Sequence, residues 1–239
     1  MRLLTKTTWI VFFALAMGYL EASVVVYLRE LYYPGGFAFP MQEMSRTLAL
    51  TELYREAATL IMILVVSVLA AEKRLHRFAW FLFIFAVWDL AYYLFLKIIL
   101  DWPSSFLTTD ILFLLPCIWT GPVIAPIINS LTMILLFTAI LFKGETYLLV
   151  VRLSKLTWTL LITGTFIVLI SYMKDFAVYA YEYNISHPAN GAIRDQDMLF
   201  LTTHFIPHSF DWLLFCTGVL MHISAVLLVF YNRKKSLPD

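Results

Sequence analysis

Charge is scarce in this chain. Only 14% of its 239 residues are Asp, Glu, Lys or Arg, against about a quarter in soluble globular domains. By contrast 62% are hydrophobic, and the mean hydropathy is +0.82. That shortage excludes a water-soluble globular fold and assigns the chain to a lipid bilayer. The few charges also balance, 17 Lys and Arg against 16 Asp and Glu, so there is no basic footprint for nucleic-acid phosphates. Cysteine is nearly missing: Cys117 and Cys216 lie in apolar runs, where they read as small buried hydrophobes, and their spacing suggests neither zinc nor a disulfide framework. Neither Ser171 nor Ser224 sits in a Gly-x-Ser-x-Gly elbow, so that nucleophile motif is absent. His222 is the one histidine deep in an apolar run, which argues against a haem held between histidines on two facing helices.

What the chain has instead is long apolar runs. A helix rises 1.5 Å per residue, so about 20 apolar residues cross the hydrocarbon. Six segments qualify: 7–31, 52–71, 78–100, 118–142, 154–174 and 209–231. The first begins like a signal peptide, with Arg2 and Lys6 ahead of its apolar run, but it is too long for one and reads as a transmembrane helix. The fold class expected is therefore an all-α integral membrane protein, a bundle of about six transmembrane helices forming a single transmembrane domain over 1–239.

If the N-terminus is cytoplasmic, the inner segments hold 11 of the 17 basic residues. The bias satisfies the positive-inside rule and predicts cytoplasmic termini, as in a bacterial inner membrane. The larger loops, 32–51, 101–117 and 175–208, then face outward. Asn184-Ile185-Ser186 in the last of them matches the short glycosylation acceptor pattern.

The fourth segment is longer than one crossing. From Ile111 to Phe142 it is interrupted at Pro116, Gly121-Pro122 and Pro126, each of which disrupts helical hydrogen bonding. The preferred reading is one proline-broken crossing preceded by a bent or re-entrant stretch, which needs protein or a wet cavity around it. A long, kinked and tilted helix is the other reading.

Charges inside the spans point to a site. Measured along each helix, Glu21, Asp89 and His222 lie about 16, 20 and 21 Å below the outer boundary, and Arg29, Arg55, Glu56 and Lys97 form a shallower layer at about 5–8 Å. A charge at the bilayer centre is costly, so these groups should face inward and find partners. Asp89 is expected to be held by His222, Glu21 or a cation of the shallower layer, while Lys97 can snorkel to the interface. Near the second span, Thr51 is expected to cap the helix, with Glu52 and Glu56 complementing its dipole, and Asp110 and Asp211 are expected to act similarly at other helix starts. His204 should lie in a loop, and His208 could share a helical face with Asp211.

Four readings of these residues stay open: a structural polar network, a transition-metal site, a proton or cation path, and a pocket for a polar lipid or small ligand. A metal would draw on Glu21, Asp89, His222 and His208. The leading functional expectation is a small polytopic protein whose outward-facing carboxylate and histidine cluster binds a cation, metal or polar ligand, with or without membrane-embedded chemistry. The alternative is a non-catalytic subunit of a larger membrane complex. Membrane lipids are partners in either case.

Overall fold

The computed structural model describes residues 3–141, 149–150, 153–186, 195–231 and 234–235. Its elements, in order, are α1 (Leu3–Tyr32), α2 (Arg46–Ala70), α3 (Arg74–Leu100), β1 (Thr109–Phe113), β2 (Trp119–Pro122), α4 (Ile124–Ile140), β3 (Leu149–Val150), α5 (Lys155–Ser186), α6 (Asp195–His204), α7 (Trp212–Tyr231) and β4 (Lys234–Lys235). Five helices, α1, α2, α3, α5 and α7, are long and apolar enough to cross a membrane, and α4 is a shorter apolar helix. The protein is thus mainly helical, as its hydropathy predicts.

Helix α3 is the hub of one half, packing on α1, α2 and α4, while α7 packs on α5 and α4. Small residues set the closest approaches. A Cβ on Gly18 of α1 would lie 2.6 Å from the Ala91 Cβ and 2.9 Å from the Trp88 carbonyl of α3. A Cβ on Gly164 of α5 would lie 2.9 Å from the Gly218 carbonyl of α7. In lipid such small residues allow the backbone proximity from which helices gain dispersion energy. The apolar core between α3 and α4 contains Trp80, Phe83, Ile84, Phe137 and Ile140, with the Phe83 and Phe137 rings stacked at 4.2 Å. Lys6 Nζ donates to the Ala70 carbonyl at 2.9 Å and Arg77 Nε to the Ala71 carbonyl at 2.8 Å, so basic side chains satisfy the free carbonyls at the end of α2.

Several boundaries differ from expectation. Helix α2 begins six residues earlier than 52, because Ser45 is the N-cap and accepts the Leu48 N–H; Thr51 lies inside the helix and donates to the Thr47 carbonyl. Residues 175–186, expected in a loop, continue α5, since its apolar and aromatic side chains remain compatible with helix. His204 is the last residue of α6 rather than part of a loop. Asp211 does cap α7, accepting the Leu214 N–H at 3.0 Å. His208 precedes that helix and shares no helical face with Asp211. Cys117 is half-buried and Cys216 exposed, so neither is the fully buried hydrophobe expected.

The largest departure is in the fourth segment. Residues 109–122 form an antiparallel hairpin in the register Thr109↔Pro122, Asp110↔Gly121, Ile111↔Thr120 and Phe113↔Trp119. The irregularity between Ile111 and Phe113 is a bulge that places Leu112 out of step. Asp110 therefore stands on a strand and not at a helix start. Helix α4 begins only at Ile124, with Pro126 in its first turn, where proline's missing N–H costs nothing. The span 118–142 is accordingly shortened, and the expected bent stretch is a β-hairpin. Its backbone groups pair with each other, which meets the demand for satisfied hydrogen bonds away from water.

Candidate functional site

Charged residues on three helices converge because their spacings put them on common faces. On α2, Glu52, Arg55 and Glu56 are related by three and four positions; on α3, Asp89, Tyr92 and Tyr93 repeat the same spacing. On α1, Glu21 and Arg29 are eight positions apart, about two turns. Together with the hairpin these faces enclose a cavity of about 180 Å³. Its wall carries five carboxylates, Glu21, Glu52, Glu56, Asp89 and Asp110, but only two guanidiniums, Arg29 and Arg55.

Two ion-pair groups account for both guanidiniums. Arg55 pairs through Nη1 with Glu21 Oε2 and through Nε with Glu52 Oε2 at 2.8 Å, so it joins α1 to α2. Arg29 is only 8% exposed. Its Nη2 is 3.6 Å from Asp110 Oδ1, and its guanidinium carbon lies 3.9 Å from the Trp102 ring centroid and 4.8 Å from that of Phe37. Such stacking adds cation–π attraction to the Coulomb term. Asp110 Oδ2 also accepts the Tyr93 hydroxyl at 3.2 Å. Burial pushes the Asp110 carboxyl up to about 6, while the Arg29 guanidinium pulls in the opposite direction.

The other two carboxylates have neutral donors. Both Glu56 oxygens accept the Leu114 N–H, at 3.2 and 3.0 Å. Asp89 Oδ2 accepts the Ser130 hydroxyl of α4 at 2.8 Å. Asp89 is therefore held by neither His222, Glu21 nor a cation, because its side chain turns towards α4. Among the described residues, no ion pair is formed by Glu56 or Asp89.

The residues expected at one site divide into those that line this cavity and those that do not. Glu21, Arg29, Arg55, Glu56 and Asp89 line it. Lys97 reaches the other way, to Asp101 Oδ1 at 2.6 Å and the carbonyls of Asp101 and Pro103, consistent with snorkelling. His222 lies at the α5–α7 contact, where its Nε2 is 3.2 Å from Thr165 Oγ1. Its matched depth did not imply a shared direction. The His208 backbone N–H donates to Asp175 Oδ2 at 2.8 Å. Thus Glu21, Asp89, His222 and His208 are not gathered as a metal centre, and among the described residues no cluster of three or more His, Cys, Asp or Glu has the placement to hold a metal ion.

The aromatic wall was not anticipated. Trp88, Tyr92 and Tyr93 line the cavity from α3, with Tyr33 and Phe37 from the segment after α1. Their spacing from Asp89 was the available signal for Tyr92 and Tyr93. The Tyr92 hydroxyl makes no hydrogen bond among the described residues. Trp88 is 6% exposed, and its indole Nε1 is buried without a partner among the described residues. Chemically the site offers carboxylate acceptors, aromatic faces and apolar surface, with two guanidiniums already engaged. No protein-family model, curated protein or solved structure matches this chain.

Proposed function

We propose that this is a small polytopic membrane protein whose buried cavity binds a cation or a polar ligand carrying positive charge. One observation carries the reading: Glu56 and Asp89 line the cavity yet, among the described residues, receive only neutral hydrogen bonds. Anionic groups removed from water need compensating charge. With all seven charged groups ionised, five carboxylates against two guanidiniums leave a surplus of three negative charges.

In this reading α4 is a short sixth crossing, with the hairpin packed beyond its outer end. Both termini are cytoplasmic and the cavity opens towards the outside, in keeping with the distribution of basic residues and with a bacterial inner membrane. Binding is favoured over passage through the membrane. No charged side chain lies between Lys6 and Glu21 on α1, between Arg77 and Asp89 on α3, or after Glu56 on α2, so the titratable groups are not stepped across the bundle.

The test is titration of the detergent-purified protein with sodium, magnesium, manganese, zinc and small ammonium ions, following heat release and thermal midpoint. Saturable binding by at least one cation, weakened at least tenfold in D89N or E56Q, is expected. Equal responses in wild type and both variants would overturn the proposal.

A further inference from the structure

We propose that the cavity's ligand is an amphiphilic organic ammonium ion, a protonated amine on an apolar body, rather than an inorganic cation. This inference rests on the cavity being a binding site. A bare metal ion needs several donors at one point, and among the described residues no such cluster exists. Glu56 and Asp89 instead occupy different helices and have different anchors, Leu114 and Ser130. Separate acceptors suit a donor group that presents several N–H bonds in different directions.

The rest of the wall matches the rest of such a ligand. Trp88, Tyr92 and Tyr93 supply aromatic faces, and a desolvated ammonium beside such faces gains cation–π energy that a hydrated inorganic ion uses less readily. The site already shows this pairing, since Arg29 lies over Trp102 and Phe37. Tyr92 has a hydroxyl with no hydrogen bond among the described residues, so it can accept an N–H. Trp88, only 6% exposed, adds its ring to this wall; its indole N–H is a donor and takes no part in holding an ammonium, which has no lone pair to accept it. The same cavity is also lined by Val25, Leu28, Met41, Met44 and Leu112. Methionines adapt to irregular apolar shapes, and this surface would hold an alkyl or ring body.

The experiment measures binding of methyl-, butyl- and hexylammonium to the full chain in mild detergent, beside sodium, magnesium and zinc. Protein-free micelles serve as the reference for partition of amines into detergent. After subtraction of that reference, affinity should rise up to about fourfold per methylene, the value for burial of one such group. D89N should lose at least tenfold for every amine, and Y92L should lose about 2–30-fold, the range of a cation–π contact. Saturable metal binding that is weakened in D89N or E56Q, with amines bound no better by wild type than by D89N, would overturn the ammonium inference and leave the cation site standing. Absence of binding by amines and metals alike would overturn both. Loss in D89N without any chain-length dependence would overturn the apolar half of the inference. Thermal midpoints of D89N and Y92L identify a variant that fails to fold, and E56Q, which keeps an acceptor for the Leu114 N–H, then removes the charge of the second carboxylate and is expected to weaken amine binding about tenfold or more.

Discussion

Glu56 and Leu114 are joined across 58 positions of sequence, the carboxylate of one receiving the backbone N–H of the other at 3.0 Å. The contact fastens the hairpin to α2 just beyond its bulge, and it closes one wall of the cavity. E56A would leave a part-buried N–H unpaired and should cost about 1 kcal/mol. E56Q keeps a carbonyl acceptor and should cost less. Thermal midpoints and amide exchange at Leu114 provide the check: unchanged exchange in E56A would show that the contact does not hold the hairpin.

Gly18 is required by packing, not by backbone conformation. Its absent Cβ leaves room for Ala91 and the Trp88 carbonyl, at 2.6 and 2.9 Å, and a backbone carbonyl cannot rotate away. G18A should destabilise the fold by about 1–3 kcal/mol. A Cβ at Gly35 would meet nothing within 4 Å, so G35A should lie within about 0.5 kcal/mol of wild type. Similar costs for the two variants would contradict the close α1–α3 approach.

Gly164 and His222 should be energetically coupled. A Cβ at Gly164 would meet the imidazole Cδ2 at 2.8 Å and the Gly218 carbonyl at 2.9 Å. H222A removes the first obstacle and leaves the second, so G164A should be partly less costly in the H222A background. A double-mutant cycle should give a coupling of about 0.5–3 kcal/mol. Strict additivity would place His222 elsewhere. Cation binding at the cavity should be unaffected by H222A.

Asp110 predicts a pH dependence. Its folded-state value of about 6 lies above the ordinary 3.8, so the folded chain holds this proton more tightly than the unfolded one. The corresponding stabilisation is complete below about pH 3.8 and is lost as pH rises through about 6. Thermal stability in detergent should therefore fall over that window, and D110N should show a shallower fall. An identical slope in D110N would assign the effect to another group.

Orientation can be read by labelling. In a background carrying C117S and C216S, a membrane-impermeant thiol reagent applied to intact cells should reach G35C and not L75C. Labelling of L75C from outside would reverse the proposed orientation. Positions 190 and 236, equally informative in principle, lie outside the described residues.

Membrane location and the main helices were legible in the sequence because both depend on local quantities. A scarcity of charge excludes water as the surrounding solvent, and uninterrupted apolar length specifies a crossing whatever its neighbours do. Depth is local too, since rise per residue is constant, and this is why Glu21, Arg29, Arg55, Glu56 and Asp89 could be singled out before their partners were known. Direction around the helix axis is different. It is set by which helices pack together, so only the tertiary structure turned His222 towards Thr165, Asp89 towards Ser130 and Lys97 away from the cavity. The hairpin was hidden for a related reason: Thr109–Phe113 and Trp119–Pro122 are short apolar pieces that periodicity does not distinguish from a buried helix. Their identity as strands lies in their pairing with each other and in the Leu114 N–H that Glu56 accepts, relationships that exist only once distant parts of the chain have met.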